Sequence, residues 1–221
     1  IKGKSCLERS IELLIEAEIR NIIIMTSYKA DFFEEKINDY NSKYNILISI
    51  KQESKPMGEC GGLWEIRDEI NGDILFLNGD LIWDIDLDRF INFHNEHDSD
   101  ITLLTHLCTH PLDSDIISEK PTKEFDSYSL KPHNDTKNLW KMYLGNAGIA
   151  IIKVNTLFKL PPPINQDSLC HHILKNMSFF KIRVFSYNTS EYVKDMGTPK
   201  RLEQVKKALN TEVVLKKSYK R

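Results

Sequence analysis

Three segments far apart in the chain carry the residue types that phosphate and metal chemistry need. Asn78-Gly79-Asp80 follows the short apolar run Ile74-Leu75-Phe76-Leu77. A carboxylate fixed at the end of a rigid strand, beside a glycine that lets a ligand come close, suits magnesium, which prefers hard oxygen donors. The same aspartate can equally cap a turn, and strand position alone leaves the two readings balanced. Pro56-Met57-Gly58-Glu59-Cys60-Gly61-Gly62 lies between a strand-like and a helix-like stretch. Glycines there permit positive φ and let backbone N–H groups reach a bound nucleotide, although a plain glycine-rich turn would look the same. Asp195-Met196-Gly197-Thr198-Pro199 stands directly before a helical pattern. Thr198 suits the N-cap and Pro199 the first helical position, which leaves Asp195 without a structural reason. A second carboxylate arriving from far along the chain can complete a metal site with Asp80.

Other candidates read more simply as structure. Asp84, Asp86 and Asp88 imitate the D-x-D motif of a metal-dependent glycosyltransferase, but they immediately precede a helix, where acids complement the dipole. His171 and His172 are adjacent on a predicted helix and so do not share a face, which argues against a joint metal site. Lys131-Pro132-His133 falls in a polar stretch. Its lysine has the charge for a phosphate, as do many surface lysines that bind none.

Strands and helices alternate through the first half and would position these residues. Leu7, Ile11, Leu14 and Ile15 mark one face of an amphipathic helix. Ile22 to Met25 is a continuous apolar run suited to a strand buried on both faces. A second helix is predicted over 31–40, a second strand over 46–50, a helix over 63–70 and a third strand over 74–77. A helix over 87–97 and a strand over 101–107 follow. This alternation predicts a Rossmann-like, three-layer α/β/α fold with a mostly parallel mixed sheet. Ligands in such sheets bind beyond the carboxyl ends of the strands, where Asp80 stands. Residues 109–143 are polar and expected to hold loops and short strands. A strand is predicted over 148–153, a helix over 167–175, a strand over 180–187 and a closing helix over 199–209. Pro161-Pro162-Pro163 reads as a loop support. With no internal repeat or low-complexity linker, one domain over 1–221 is the simplest organisation.

Composition narrows the function class. The 221 residues are 41% hydrophobic and 28% charged, with a formal net charge of -2, ordinary for a soluble globular chain. No basic excess points to nucleic acid, and no apolar run approaches the roughly 18 residues of a membrane span. Cys6, Cys60, Cys108 and Cys170 lie far apart with no C-x-x-C pair, which argues against a zinc knuckle or a disulfide framework and suits a reducing cytoplasm. The chain opens on Ile1 rather than Met, and the natural protein is expected to start upstream.

Taken in order, these segments resemble the sugar-phosphate nucleotidyltransferase family. The resemblance is carried by Pro56-Met57-Gly58 through Leu63, Asn78-Gly79-Asp80, Lys131-Pro132, Gly145-Asn146-Ala147-Gly148 and Asp195-Met196-Gly197-Thr198-Pro199. It implies that Asp80 and Asp195 hold a catalytic Mg²⁺. It implies that Gly58, Gly61 and Gly62 pack against the nucleoside, with Asn78 and Gly79 beside the nucleotide. Lys131 would bind the sugar phosphate, Asn146 and Gly148 would line the sugar pocket, and Asp167 looks like an acid found near the sugar in relatives. The implied partners are a nucleoside triphosphate and a sugar 1-phosphate, with homo-oligomers common in such enzymes. A narrower likeness, to enzymes handling D-glycero-D-manno-heptose 1-phosphate, rests on His110-Pro111-Leu112-Asp113-Ser114-Asp115, Lys131-Pro132-His133 and residues 191–199. It implies GTP as donor. Such enzymes are often fused to a C-terminal phosphatase of the haloacid dehalogenase type, and no D-x-D-x-T motif of that kind occurs here.

Two departures bear on activity. The family's glycine-rich phosphate loop, with its Thr-Arg pair and following Pro-Lys, precedes the segment matching Ile1 to Lys4, so that loop and the first strand are absent from these residues. Lys4 matches a later lysine and cannot stand in. The 221 residues alone are therefore expected to be inactive, or nearly so. Glu59 occupies a slot where relatives usually carry a small neutral residue, and a carboxylate near a triphosphate repels it unless it points away or meets a cation. These departures keep open a non-catalytic nucleotide-sensing or scaffold homologue beside the enzyme.

Overall fold

Ser5 starts the first helix through a reciprocal cap. Its hydroxyl accepts the Glu8 N–H at 3.2 Å, while the Glu8 carboxylate accepts the Ser5 N–H at 2.8 Å. In the computed structural model, which describes residues 3–27, 31–53, 56–108, 111–130, 143–163 and 168–210, this helix is α1 (Cys6–Glu16). β1 (Asn21–Thr26), α2 (Asp31–Tyr44) and β2 (Leu47–Gln52) follow as a β-α-β unit with the strands parallel. Ile11, Ile37, Ile46 and Ile48 bury one another between these elements.

The central sheet is built from β3 (Ile74–Leu77), β5 (Ile101–Leu107), β6 (Ile116–Glu119), β7 (Phe125–Ser129), β8 (Leu144–Ile152) and β9 (Val184–Thr189). The order is β7-β6-β8-β5-β9, with β3 also paired to β8. Alternate residues of β8 point to opposite faces, as a pleated strand requires. Ala150 and Ile152 join a core with α3 (Gly58–Glu65), α5 (Val154–Lys159) and α6 (Leu169–Phe180). Ile149 and Ile151 join a second core with α1, α4 (Leu87–Glu96) and the short strand β4 (Leu81–Asp84). The sheet is thus covered on both faces. β4 also pairs with β10 (Tyr192–Asp195) as an antiparallel ribbon, backed by α7 (Pro199–Asn210), whose Val205 and Leu209 pack on Ile82.

The expected helices and strands are present, with three kinds of correction. The sheet is mixed but not mostly parallel. Among the described residues only β1/β2 and β5/β9 pair in parallel, whereas β3/β8, β5/β8, β6/β7, β6/β8 and β4/β10 are antiparallel. The cause is β8, which enters between β3 and β5 running the other way; apolar patterning marks a strand but not its direction. Second, the helix expected over 63–70 begins at Gly58 and ends at Glu65, followed by a 3-10 turn at Arg67–Glu69. Gly61 and Gly62, expected in a loop, are therefore helical, whereas Gly58 at the start of α3 takes the positive φ expected there, 74°. Third, α6 is displaced toward the C-terminus relative to the expected 167–175 and ends where Lys181 turns left-handed at φ 52°, so the strand expected over 180–187 starts only at Val184. β4, β10 and α5 are too short to stand out by periodicity.

One buried histidine makes the fold acid-sensitive. His94 on α4 is 1% exposed. Its Nδ1 lies 2.7 Å from the Thr102 hydroxyl, and its Nε2 has no hydrogen-bond partner among the described residues. Burial pushes the imidazole below its ordinary 6.5, helped by Lys153 and opposed by Asp73, Asp100 and Asp98. The folded protein therefore holds fewer protons on this residue than the unfolded chain as pH falls below about 6.5, and stability drops with it. Thermal melts at pH 7.5 and 5.5 should show a lower Tm at the acid value. His94→Asn, which cannot titrate, should start less stable but lose measurably less between the two.

Candidate active site

The site begins where β3 ends. The Asn78 N–H donates to the Gly148 carbonyl at 2.9 Å, extending the β3–β8 edge by one bond before the chain turns through Gly79-Asp80 into β4. In the ribbon, Asp195 lies opposite Leu81, and the Met196 N–H donates to the Asp80 carbonyl at 3.1 Å. The ladder thus sets Asp80 beside Asp195. Gly197 completes the geometry. A Cβ on it would sit 3.4 Å from Asp195 Oδ1 and 3.7 Å from Asp80 Oδ2, so both carboxylates converge on the bare face of this glycine.

The two acids differ in what holds them. Asp195 Oδ1 accepts the Gly197 N–H at 3.2 Å and Arg201 Nη1 at 2.9 Å. Arg201 is placed by the start of α7, where its own N–H donates to the Thr198 hydroxyl at 3.2 Å, the expected N-cap. The Asp80 carboxyl is raised above its usual value, first by desolvation and then by the negative charge of Asp195; its own backbone N–H and Arg201 act the other way. Two oxygen-donor side chains held together, with one arginine against their two negative charges, fit a hard divalent cation. Among the described residues no three His, Cys, Asp or Glu side chains gather as a metal nest. A pair of carboxylates suits magnesium in particular, which keeps waters and takes substrate oxygens for its remaining positions.

A cleft of about 470 Å³ opens over this pair and is lined also by Asn78, Asn146 and Gly148. Asn146 and Gly148 reach it through an irregularity in β8. From Leu103 to Thr105 on β5, the partner residue on β8 moves from Ala150 to Asn146, so β8 bulges outward there. Gly148 sits at φ +73°, and the Asn78 amide nitrogen would lie 2.9 Å from a Cβ at this position. Its N–H donates to Asn146 Oδ1 at 3.2 Å. Only glycine combines that backbone angle with so close an approach.

The structure brings Asp80, Asp195, Asn78, Asn146 and Gly148 to one cleft, and Gly79 joins two of them. Gly58, Gly61 and Gly62 lie in the first turns of α3. Gly61 is pressed against Met57, and Gly62 against Glu53 and Met25, so the residue that α3 offers to the cleft is Glu59. Lys131 and Asp167 lie outside the described residues, as do His110, Pro132 and His133. Asp86 is the N-cap of α4, accepting the Arg89 N–H at 3.1 Å. Asp84 faces Tyr192 across the ribbon. Neither lines the cleft, which removes the D-x-D reading. His171 lines the cleft while His172 is buried against the Pro161 carbonyl, on separate faces as expected. Arg201 and His171 are cleft residues that sequence reasoning did not select. Arg201 carried a signal, since it stands at the third helical position after the Thr198 cap and must point back toward the segment holding Asp195.

The sequence and the fold both resemble those of known proteins. Mannose-1-phosphate guanyltransferase of Hypocrea jecorina is 24% identical over 207 residues, covering 90% of this chain and 54% of the relative. The chain spans about half the length of the curated relatives it matches. HddC from Yersinia pseudotuberculosis shares the fold with a TM-score of 0.73 at 20% identity, over 92% of this chain and 84% of that one. Its complex with GMP-PN gives 0.71 at 18% identity over the same shares. A putative glucose-1-phosphate thymidylyltransferase from Bacillus anthracis, in complex with a sucrose, gives 0.75 at 13% identity, over 94% and 83%. The family model described as Nucleotidyl transferase matches residues 1–212, and with its matched segments folded around one cleft the chain belongs to the nucleotidyl transferase family.

Proposed function

We propose that the protein transfers a nucleotidyl group from a nucleoside triphosphate to a sugar 1-phosphate, releasing pyrophosphate and forming a nucleotide sugar. The observation that carries this is the convergence of Asp80 and Asp195 on Gly197 beneath a cleft shared with Asn78, Asn146 and Gly148. GTP is the favoured donor and a heptose or mannose 1-phosphate the favoured acceptor. The guanyltransferase relative, the GMP-PN held by HddC and the heptose-type segments support that choice. Residues 1–221 act in this reading as one cytoplasmic nucleotidyltransferase domain.

The sugar phosphate oxygen attacks the α-phosphorus in line and pyrophosphate departs, a reaction that depends on positioning and charge neutralisation. Asp80 and Asp195 hold the magnesium ion, which when bound offsets the charge of the reacting phosphates. Gly197 leaves room between the carboxylates. Arg201 fixes Asp195 through Oδ1, the oxygen that meets the face of Gly197 beside Asp80. Asn78 and Gly79 flank the nucleotide, and the α3 glycines Gly58, Gly61 and Gly62 set the course of the helix beside it. Asn146, Gly148 and Asp167 take the sugar, and Lys131 binds its phosphate and offsets the repulsion between two anions. Turnover in this scheme also requires a glycine-rich phosphate loop. The scheme puts that loop on a further strand between β1 and β3, each paired along one edge only among the described residues. Ile22 of β1 and Leu75 and Leu77 of β3 pack against the same apolar cluster.

The test is pyrophosphate release by the full-length natural protein with Mg²⁺, crossing GTP, CTP, UTP, dTTP and ATP with heptose, mannose and glucose 1-phosphates. GTP with heptose or mannose 1-phosphate should be best. Asp80→Asn should lower turnover by about 100-fold or more, as removal of a group that stabilises the transition state does. No release with any pair would overturn the proposal. Gly197→Val sets a branched side chain between the carboxylates. In a calorimetric Mg²⁺ titration it should weaken binding by about tenfold, a loss of about 1.4 kcal/mol, with the melting profile little changed.

A further inference from the structure

Glu59 is a cleft acid for which the proposed chemistry has no use. Its position is well determined. Oε1 accepts the Asn78 side-chain N–H at 2.9 Å, and Oε2 accepts the backbone N–H of Leu169 at 3.0 Å. Leu169 is the first residue of α6, a helix of 12 residues. The carboxylate therefore bridges α3, the end of β3 and the N-terminus of α6. Glu59, Asn78 and Ser168 all line the cleft.

This contact changes what the cleft can accept. The first turn of a helix presents N–H groups that attract anions. Here the Leu169 N–H is taken by Glu59 and the His171 N–H by the Ser168 hydroxyl at 3.2 Å. The helix end that would welcome a substrate anion is already occupied by an anion of the protein. A carboxylate has about four lone-pair directions, and two are used by Asn78 and Leu169. The others are acceptors only, suited to a sugar hydroxyl and repelling a second negative group. Asp115 lines the same cleft and has the same sign. Glu59 is exposed and Asp115 half-buried, and a like charge brought within a few ångströms of either meets a repulsion that solvent reduces without removing.

We infer that Glu59 is a specificity-determining residue that admits neutral, hydroxyl-rich sugar 1-phosphates and rejects those carrying a second anionic group, such as a uronic acid 1-phosphate or a hexose bisphosphate. This rests on the transferase reading of the cleft.

The experiment compares, in the full-length protein, mannose 1-phosphate with mannose 1,6-bisphosphate, and glucose 1-phosphate with glucuronic acid 1-phosphate. It reads kcat/KM by pyrophosphate release and, separately, dissociation constants by calorimetry. The wild type should favour the neutral member of each pair by about tenfold or more. Glu59→Gln removes the charge at nearly constant shape and should cut that ratio by about fivefold or more. Glu59→Asp retains the charge and should retain most of the preference, a pattern that mere support of α6 would not produce. If Glu59→Gln does not fold, the Glu59→Ser variant takes its place in the comparison. Equal treatment of the two members by the wild type, or an unchanged ratio in the neutral variant, would overturn the inference. Binding that discriminates as expected without turnover would count against the transferase and leave the role of Glu59 standing. Binding of neither sugar phosphate would overturn both.

Discussion

The antiparallel pairing of β4 with β10 is the constraint on which the site depends. Two carboxylates do not approach each other unaided, because their charges repel and their hydration is lost. Here the backbone ladder makes the approach unavoidable. Leu81 faces Asp195, Met196 bonds to the Asp80 carbonyl, and the ribbon is clamped by Trp83 and Leu81 on one side and by α7 against Ile82 on the other. The strain of placing like charges together is carried by apolar burial elsewhere, which is how a preorganised charged site is commonly maintained. Arg201 moderates the repulsion without abolishing it, since it bonds to Asp195 and reaches Asp80 only through space.

β8 performs the second organising task. It pairs with β3, β5 and β6, it supplies side chains to both cores, and it breaks its own register so that Asn146 and Gly148 face the cleft. The bulge and the Asn78–Gly148 contact join the sheet edge to the acidic pair through a few hydrogen bonds. Glu59 extends that chain of contacts to α6. The cleft is thus formed by segments from most of the sequence, held in register by backbone bonds rather than by flexible side-chain pairs.

Much of this was legible from residue type and spacing. Asp195 stood out because Thr198 and Pro199 had an evident capping role and it did not. Asp80 stood out because it follows a strand. The helices over 6–16, 87–96 and 199–210 follow from apolar spacing and caps that act locally. The direction of β8 was not legible, since an apolar strand reads the same in either orientation, and its neighbours in the sheet are remote in sequence. The short strands β4 and β10 carry too few residues for a periodic signal, and their pairing is tertiary. The α3 glycines looked like a loop because glycine is a poor helix former. Close packing of Gly61 against Met57 and of Gly62 against Glu53 and Met25 explains the presence of these two inside a helix. Glu59 was visible as an anomaly, but its two partners come from β3 and α6, and no local pattern announces either.

The position of β8 also bears on how the chain acquires its shape. β3 and β5 are synthesised first, yet each pairs with β8 rather than with the other. The sheet cannot grow outward strand by strand in the order of synthesis; it must hold a vacancy, or form it anew, until residues 144–152 arrive and insert. Contacts so distant in sequence slow folding and prolong the exposure of unpaired strand edges. The leucine-rich edges of β3 and β5 are therefore the part of the nascent chain most in need of shielding, and the carboxylate pair is assembled later still, when β10 has emerged.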